Sequence, residues 1–121
     1  MPRGRLPDRA LRDYLFIEDA TRAFLTAGAH IGRLSGGHFV VGTGKGHTLR
    51  QAFGLVAARA ALRTGKRATL RRVRAPRSGS PIAARNFVAD PSAFRRATGW
   101  RAATGLRDGI DLTLNAYLCE S

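Results

Sequence analysis

Gly36-Gly37-His38-Phe39-Val40-Val41-Gly42-Thr43-Gly44-Lys45-Gly46-His47-Thr48-Leu49 is the stretch whose reading decides the fold. A short apolar run, His38 to Val41, leads into glycines at positions 42, 44 and 46, which allow positive φ and close approach of another group. Thr48 is suited to cap a helix running from Leu49 to Leu62, because Leu49, Ala52, Phe53, Val56 and Ala60 recur at helical spacing. The predicted local order is strand, glycine loop, helix, with Gly65 closing the helix.

Such a loop either cradles a phosphate or makes a tight turn, and two phosphate motifs test the first option. The P-loop pattern fails, since Gly46 follows Gly44-Lys45 where a hydroxyl is required and residue 39 is Phe39. The dinucleotide pattern fails too: the glycines read Gly42-x-Gly44-x-Gly46, and Arg59 to Arg63 fill the zone where an acidic residue should hold a ribose. The structural turn is favoured.

Outward from this stretch, Tyr14-Leu15-Phe16-Ile17 reads as a buried strand, followed by a helix in which Glu18 or Asp19 caps and Ala20, Ala23, Phe24 and Ala27 form the apolar stripe up to Gly28. Ala68 to Val73 alternates weakly and is a candidate strand set among Arg71, Arg72 and Arg74, while residues 75–81 form a loop. Asn86 to Ala89 is a short extended piece. Asp90-Pro91-Ser92 then opens a helix that Gly99 ends, with Trp100 folding back on the core. Leu106, Ile110, Leu114 and Tyr117 mark a final amphipathic helix.

At 121 residues the chain suits one domain. Lys and Arg number 21 against 8 acidic residues, a formal charge of +13, which attracts polyanions without choosing among them. Arginines scattered among alanine and glycine are also what a compositional bias alone would produce. No apolar run has the length of a membrane span and the first residues lack a signal core, so the expected setting is soluble and cytoplasmic. Cys119 is the single cysteine, and His30, His38 and His47 lack a ligand spacing, so no metal site is expected.

Taken in order, the pieces resemble the C-terminal part of the NAD-dependent epimerase/dehydratase family, the extended short-chain dehydrogenase/reductases that act on nucleotide sugars. The family's Arg-Asp-Tyr-hydrophobic-Val-Asp-Asp segment is similar to Arg12-Asp13-Tyr14-Leu15-Phe16-Ile17-Glu18-Asp19. Its Gly-Ser-Gly-x-Gly-x-Ser-Leu segment is similar to Gly42 through Leu49. Ala89-Asp90-Pro91-Ser92, Thr98-Gly99-Trp100 and Leu106 to Ile110 match later family segments in the same order.

The resemblance implies a mixed α/β substrate-binding lobe with short strands and three to four helices, residues 1–121 forming one partial domain without the Rossmann half. It implies that the glycine loop is a turn in the substrate-binding half. It assigns a nucleotide-sugar diphosphate to Arg12 and to Arg77, with Arg85 competing for the second role because the gap from Gly79 to Asp90 is long. Guanidinium groups suit phosphate by giving two parallel charge-assisted bonds.

The family places NAD(P) and its Tyr-x-x-x-Lys pair elsewhere. Here Tyr14 precedes Glu18 by four residues and Tyr117 precedes Ser121, so neither supplies that pair and no catalytic or cofactor-binding residue is assigned. The expectation is a truncated or split portion that binds a nucleoside-diphosphate sugar weakly, does not turn it over alone, and docks on a Rossmann chain or on itself. The alternative is a small basic nucleic-acid-binding protein, supported by charge alone.

Overall fold

The computed structural model describes residues 9–71 and 85–119. Thr48 does what its position suggested. It ends strand β2 (His47–Thr48) and caps helix α3 (Leu49–Thr64): its hydroxyl accepts from the Gln51 amide at 3.0 Å while the Gln51 side chain accepts from the Thr48 amide at 2.9 Å. This reciprocal box satisfies two amides that a helix start leaves open. Gly65 closes α3 in the left-handed conformation, as expected.

β2 pairs antiparallel with β1 (Leu11–Arg12), placing Leu11 opposite Thr48 and Arg12 opposite His47. The extended residues 86–89 lie along β1 as well: the Leu11 amide donates to Asn86 Oδ1 at 3.0 Å and the Phe87 amide donates to the Leu11 carbonyl at 2.9 Å. Helices α1 (Ile17–Ala29), α2 (Ile31–Leu34), α4 (Ser92–Thr98) and α5 (Leu106–Cys119) complete the order. The described residues thus form a mixed α/β unit of five helices and one two-stranded sheet, α2 being a single turn.

The core is Ala23 of α1, Leu34 of α2, Phe94 of α4 and Trp100, with Phe39 and Val41 packed against it. Phe94 is the centre. Phe39 meets it edge-on at 6.2 Å between ring centroids and Trp100 at 5.7 Å, the favoured geometry for aromatic quadrupoles. Gly99, left-handed at the end of α4, turns Trp100 back onto this cluster, and the indole N–H donates to the Asp19 carbonyl at 3.2 Å.

Four expectations are corrected. Tyr14 to Phe16 is not a strand, and Ile17 already belongs to α1; pairing ends at Arg12 because the partner strand is only two residues long. His38 to Val41 is not a strand either: Phe39 and Val41 contribute side chains to the core without a ladder. Neither Glu18 nor Asp19 caps α1, whose N-cap is Phe16 with no side-chain bond. Asp19 is buried instead, accepting from the Thr104 amide at 2.9 Å and from Arg22 at 3.1 Å. Lastly, residues 66–71 carry no strand, while 72 and 73 of that predicted segment and the loop 75–81 lie outside the described residues.

Candidate functional site

The glycine turn is built around a carboxylate. Asp13, immediately after β1, accepts hydrogen bonds from the amides of Thr43 at 3.0 Å, Gly44 at 3.0 Å and Ala89 at 3.2 Å, and from the Thr43 hydroxyl at 2.6 Å. Amides that a phosphate loop would offer to a ligand are therefore spent on the chain's own anion. Glycine is required here for space and for conformation: a Cβ on Gly42 would collide with the Ala89 methyl and come 2.8 Å from Asp13, and Gly44 has φ of 79°. Sequence reasoning favoured a turn but missed Asp13 as its anchor. The available signal was an acid beside a strand facing a glycine-rich stretch, a pairing visible only once the two segments are adjacent.

Leu11 and Asp13 face this turn, since Leu11 lies against Gly46 and Asp13 against Gly42. By alternation Arg12, the second residue of β1, projects to the opposite side. The Arg12 guanidinium donates to the Leu11 carbonyl at 2.9 Å and to the Arg85 carbonyl. Two of the three sequence-predicted arginines are thereby brought together through the Arg85 backbone, with Arg85 itself exposed. Arg77 lies outside the described residues.

Tyr14, weighed from sequence only as a catalytic tyrosine and set aside, lines two neighbouring clefts. One, of about 360 Å³, is mostly apolar and is walled by Leu15, Phe16, Leu106 and Gly109. The other, of about 170 Å³, lies between Thr43, Lys45 and His47 on one side and residues 102–106 on the other. The Tyr14 hydroxyl is buried and has no hydrogen-bond partner among the described residues. Burial raises its pKa, while the Arg12 charge acts in the opposite sense. It is therefore a neutral donor at physiological pH, as an ordinary tyrosine is.

Among the described residues no group of three or more His, Cys, Asp or Glu is placed to hold a metal ion, and no helix is long and apolar enough to cross a membrane.

Fold and turn together define a class: an α/β lobe of the kind found in NAD-dependent epimerases, as the sequence resemblance implied. In particular, the chain is similar to UDP-glucose 4-epimerase of Thermotoga maritima, solved with UDP-glucose, at a TM-score of 0.72 and 26% identity over 93% of this chain and 33% of that one. It is similar to UDP-glucose 4-epimerase of Stenotrophomonas maltophila, solved with NAD and formylated UDP-arabinopyranose, at 0.65 and 25% over 93% and 32%. A third likeness is to the Bordetella bronchiseptica enzyme WbmG, solved with NAD and UDP, at 0.64 and 29% over 92% and 33%. The chain spans about a third of the length of these structures. No protein-family model and no curated protein matches the sequence.

Proposed function

We propose that residues 1–121 form the substrate-side, C-terminal lobe of a cytoplasmic nucleoside-diphosphate-sugar epimerase or dehydratase, binding the diphosphate through Arg12 with Arg77 or Arg85. One observation carries the reading: the lobe shares its fold with an epimerase solved with UDP-glucose, and the charge of its β1 arginine acts on Tyr14, a residue that lines two clefts. The role is binding and orientation. The chain has neither a dinucleotide fingerprint nor a Tyr-x-x-x-Lys pair, so NAD(P) and the redox chemistry belong to a Rossmann half outside these residues.

Calorimetric titration with UDP-glucose tests this. Weak saturable binding is expected, reduced about tenfold or more by Arg12→Ala, the effect of losing one charge-assisted contact to phosphate. Tight NAD binding by the chain itself, or UDP-glucose binding indifferent to Arg12, overturns the reading.

A further inference from the structure

The net charge of the chain is confined to one segment. Residues 20–89 hold 13 lysines and arginines and no Asp or Glu, whereas residues 1–19 and 90–121 each hold four arginines and four acids and are neutral. A compositional bias toward arginine acts along a whole chain and does not clear one stretch of carboxylates. The +13 therefore belongs to the part that contains α3, and a charge asymmetry of this kind marks a surface that meets polyanions.

The fold gathers four of these cations along one side of α3. Arg59 and Arg63 are taken up by Asp111 and Asn115 of α5. Arg50, Lys66, Arg67 and Arg71 are exposed, and none has an ion-pair partner among the described residues. After Gly65 the chain doubles back: the Leu70 side chain lies 3.8 Å from where a Cβ of Gly54 would stand. Five extended residues reach about 17 Å, close to the helical rise from Gly54 to Gly65, so residues 66–70 run alongside α3 in the opposite direction. Gly54 stands one turn beyond Arg50 on the same side of the helix. Arg50 and Arg71 are thereby brought to one end of a basic strip, and Lys66 and Arg67 to the other.

An aromatic ring flanks that strip. Phe53 is 58% exposed and sits three residues after Arg50, beside it on the helix. The exposed Leu62 is nine residues further on, about half a turn out of phase with Phe53, so the exposed apolar side chains of α3 do not form one face that could enter a lipid surface. A row of cations beside an open aromatic ring suits a single strand of nucleic acid, in which charges follow the backbone and the ring stacks on a base.

We propose that the Arg50 side of α3, together with residues 66–71, binds single-stranded nucleic acid: Arg50, Lys66, Arg67 and Arg71 pair with backbone phosphates while Phe53 stacks on a base. Arg12 and the Tyr14 clefts take no part in it. The activity is separate from the nucleotide-sugar reading, and either can fail alone.

The test is fluorescence anisotropy of a labelled oligothymidylate of about 15 nucleotides, titrated with the full chain over a range of salt concentrations. Four phosphate contacts on a single strand predict a slope of about −3 in log K against log salt, and Lys66→Ala with Arg67→Ala should flatten it to about −1.5. Arg96→Ala with Arg101→Ala removes the same charge from exposed positions of the neutral C-terminal segment and should leave the slope unchanged. Phe53→Ala should weaken binding about fivefold or more at every salt concentration, and Phe53→Trp should keep it. Thermal melts confirm that each variant is folded.

Equal flattening by the two arginine and lysine pairs would mean diffuse attraction to a basic protein and overturn the proposal. So would wild-type affinity in Phe53→Ala, or a preference for duplex DNA or for phosphatidylserine-containing vesicles over the single strand. Titration with UDP-glucose keeps the two readings apart, since its affinity should respond to Arg12→Ala and ignore the Lys66/Arg67 pair. A chain that binds oligothymidylate but not UDP-glucose retains this proposal and loses the nucleotide-sugar reading, and the converse result does the opposite.

Discussion

Asp13 concentrates more of the local architecture than any other side chain near the site. Its carboxylate joins the end of β1 to the turn at Thr43–Gly44 and to Ala89, three segments far apart in sequence. Hydrogen bonds to a charged acceptor are the stronger kind, and removing that acceptor leaves partly buried amides without partners. Asp13→Ala is therefore expected to cost about 3 kcal/mol or more, a large share of what a small domain has. A urea midpoint shift with unchanged slope measures it, and a loss below about 0.5 kcal/mol, the range of ordinary surface changes, would contradict this account.

Tyr14 provides the opposite case one residue later. Its hydroxyl is buried without a partner among the described residues, so Tyr14→Phe should leave stability unchanged or raise it by about 1 kcal/mol. A destabilised Tyr14→Phe protein would show that the hydroxyl has a structural partner. Neither role was legible in the sequence. Both depend on how segments distant in sequence pack around the turn, which periodicity cannot assign.

Helices and their caps were the readable elements. Thr48, Gly65 and Gly99 act through bonds within a few residues, so local chemistry alone identified the ends of α3 and α4. Strands were misplaced for the converse reason: β1 and β2 exist only by pairing across 35 or more residues, whereas the apolar runs 14–17 and 38–41 bury side chains without a ladder. Phe53 and Val56, expected on the buried stripe of α3, are exposed; Ala52 is the residue of that stripe that is buried.

What joins α3 to α5 is polar. Arg59 grips Asp111 through Nε at 2.7 Å and Nη2 at 2.9 Å, and Arg63 reaches Asn115 one turn further. The Arg59 hydrogen bond is the main reason the Asp111 carboxyl titrates below its ordinary value. A depressed folded pKa means that the pair's contribution is complete above the unfolded value of about 3.9 and is lost as pH falls through the lower folded value. Wild-type melting temperature should therefore exceed that of Asp111→Asn near neutrality, and the gap should narrow as pH falls below the unfolded value of about 3.9. A gap that does not narrow at any acid pH at which the protein stays folded would mean that the carboxylate's charge contributes nothing to the docking of α5.

At the scale of the whole molecule, two features oppose each other: a charge of +13 and an uncovered apolar face. Ile17, Phe24 and Leu25 of α1 are each more than two-thirds exposed, and Ile31 at the start of α2 is 64% exposed. Ile17 and Phe24 are two turns apart and so share one side of the helix. Apolar surface of this kind drives association at roughly 25 cal/mol per Å² removed from water, while like charges at close range resist it until salt screens them. Self-association should therefore grow with ionic strength, the reverse of what attraction between opposite charges would give. Sedimentation velocity at low salt and at about 0.5 M salt, where the screening length is only a few ångströms, reads this directly. Phe24→Asp should restore the monomer at high salt with little change in melting temperature, because its ring is 80% exposed in the folded chain. A chain that stays monomeric at both salt concentrations would show that this face does not bury itself against a second copy, and a Rossmann half would then be its remaining partner within the proposed function.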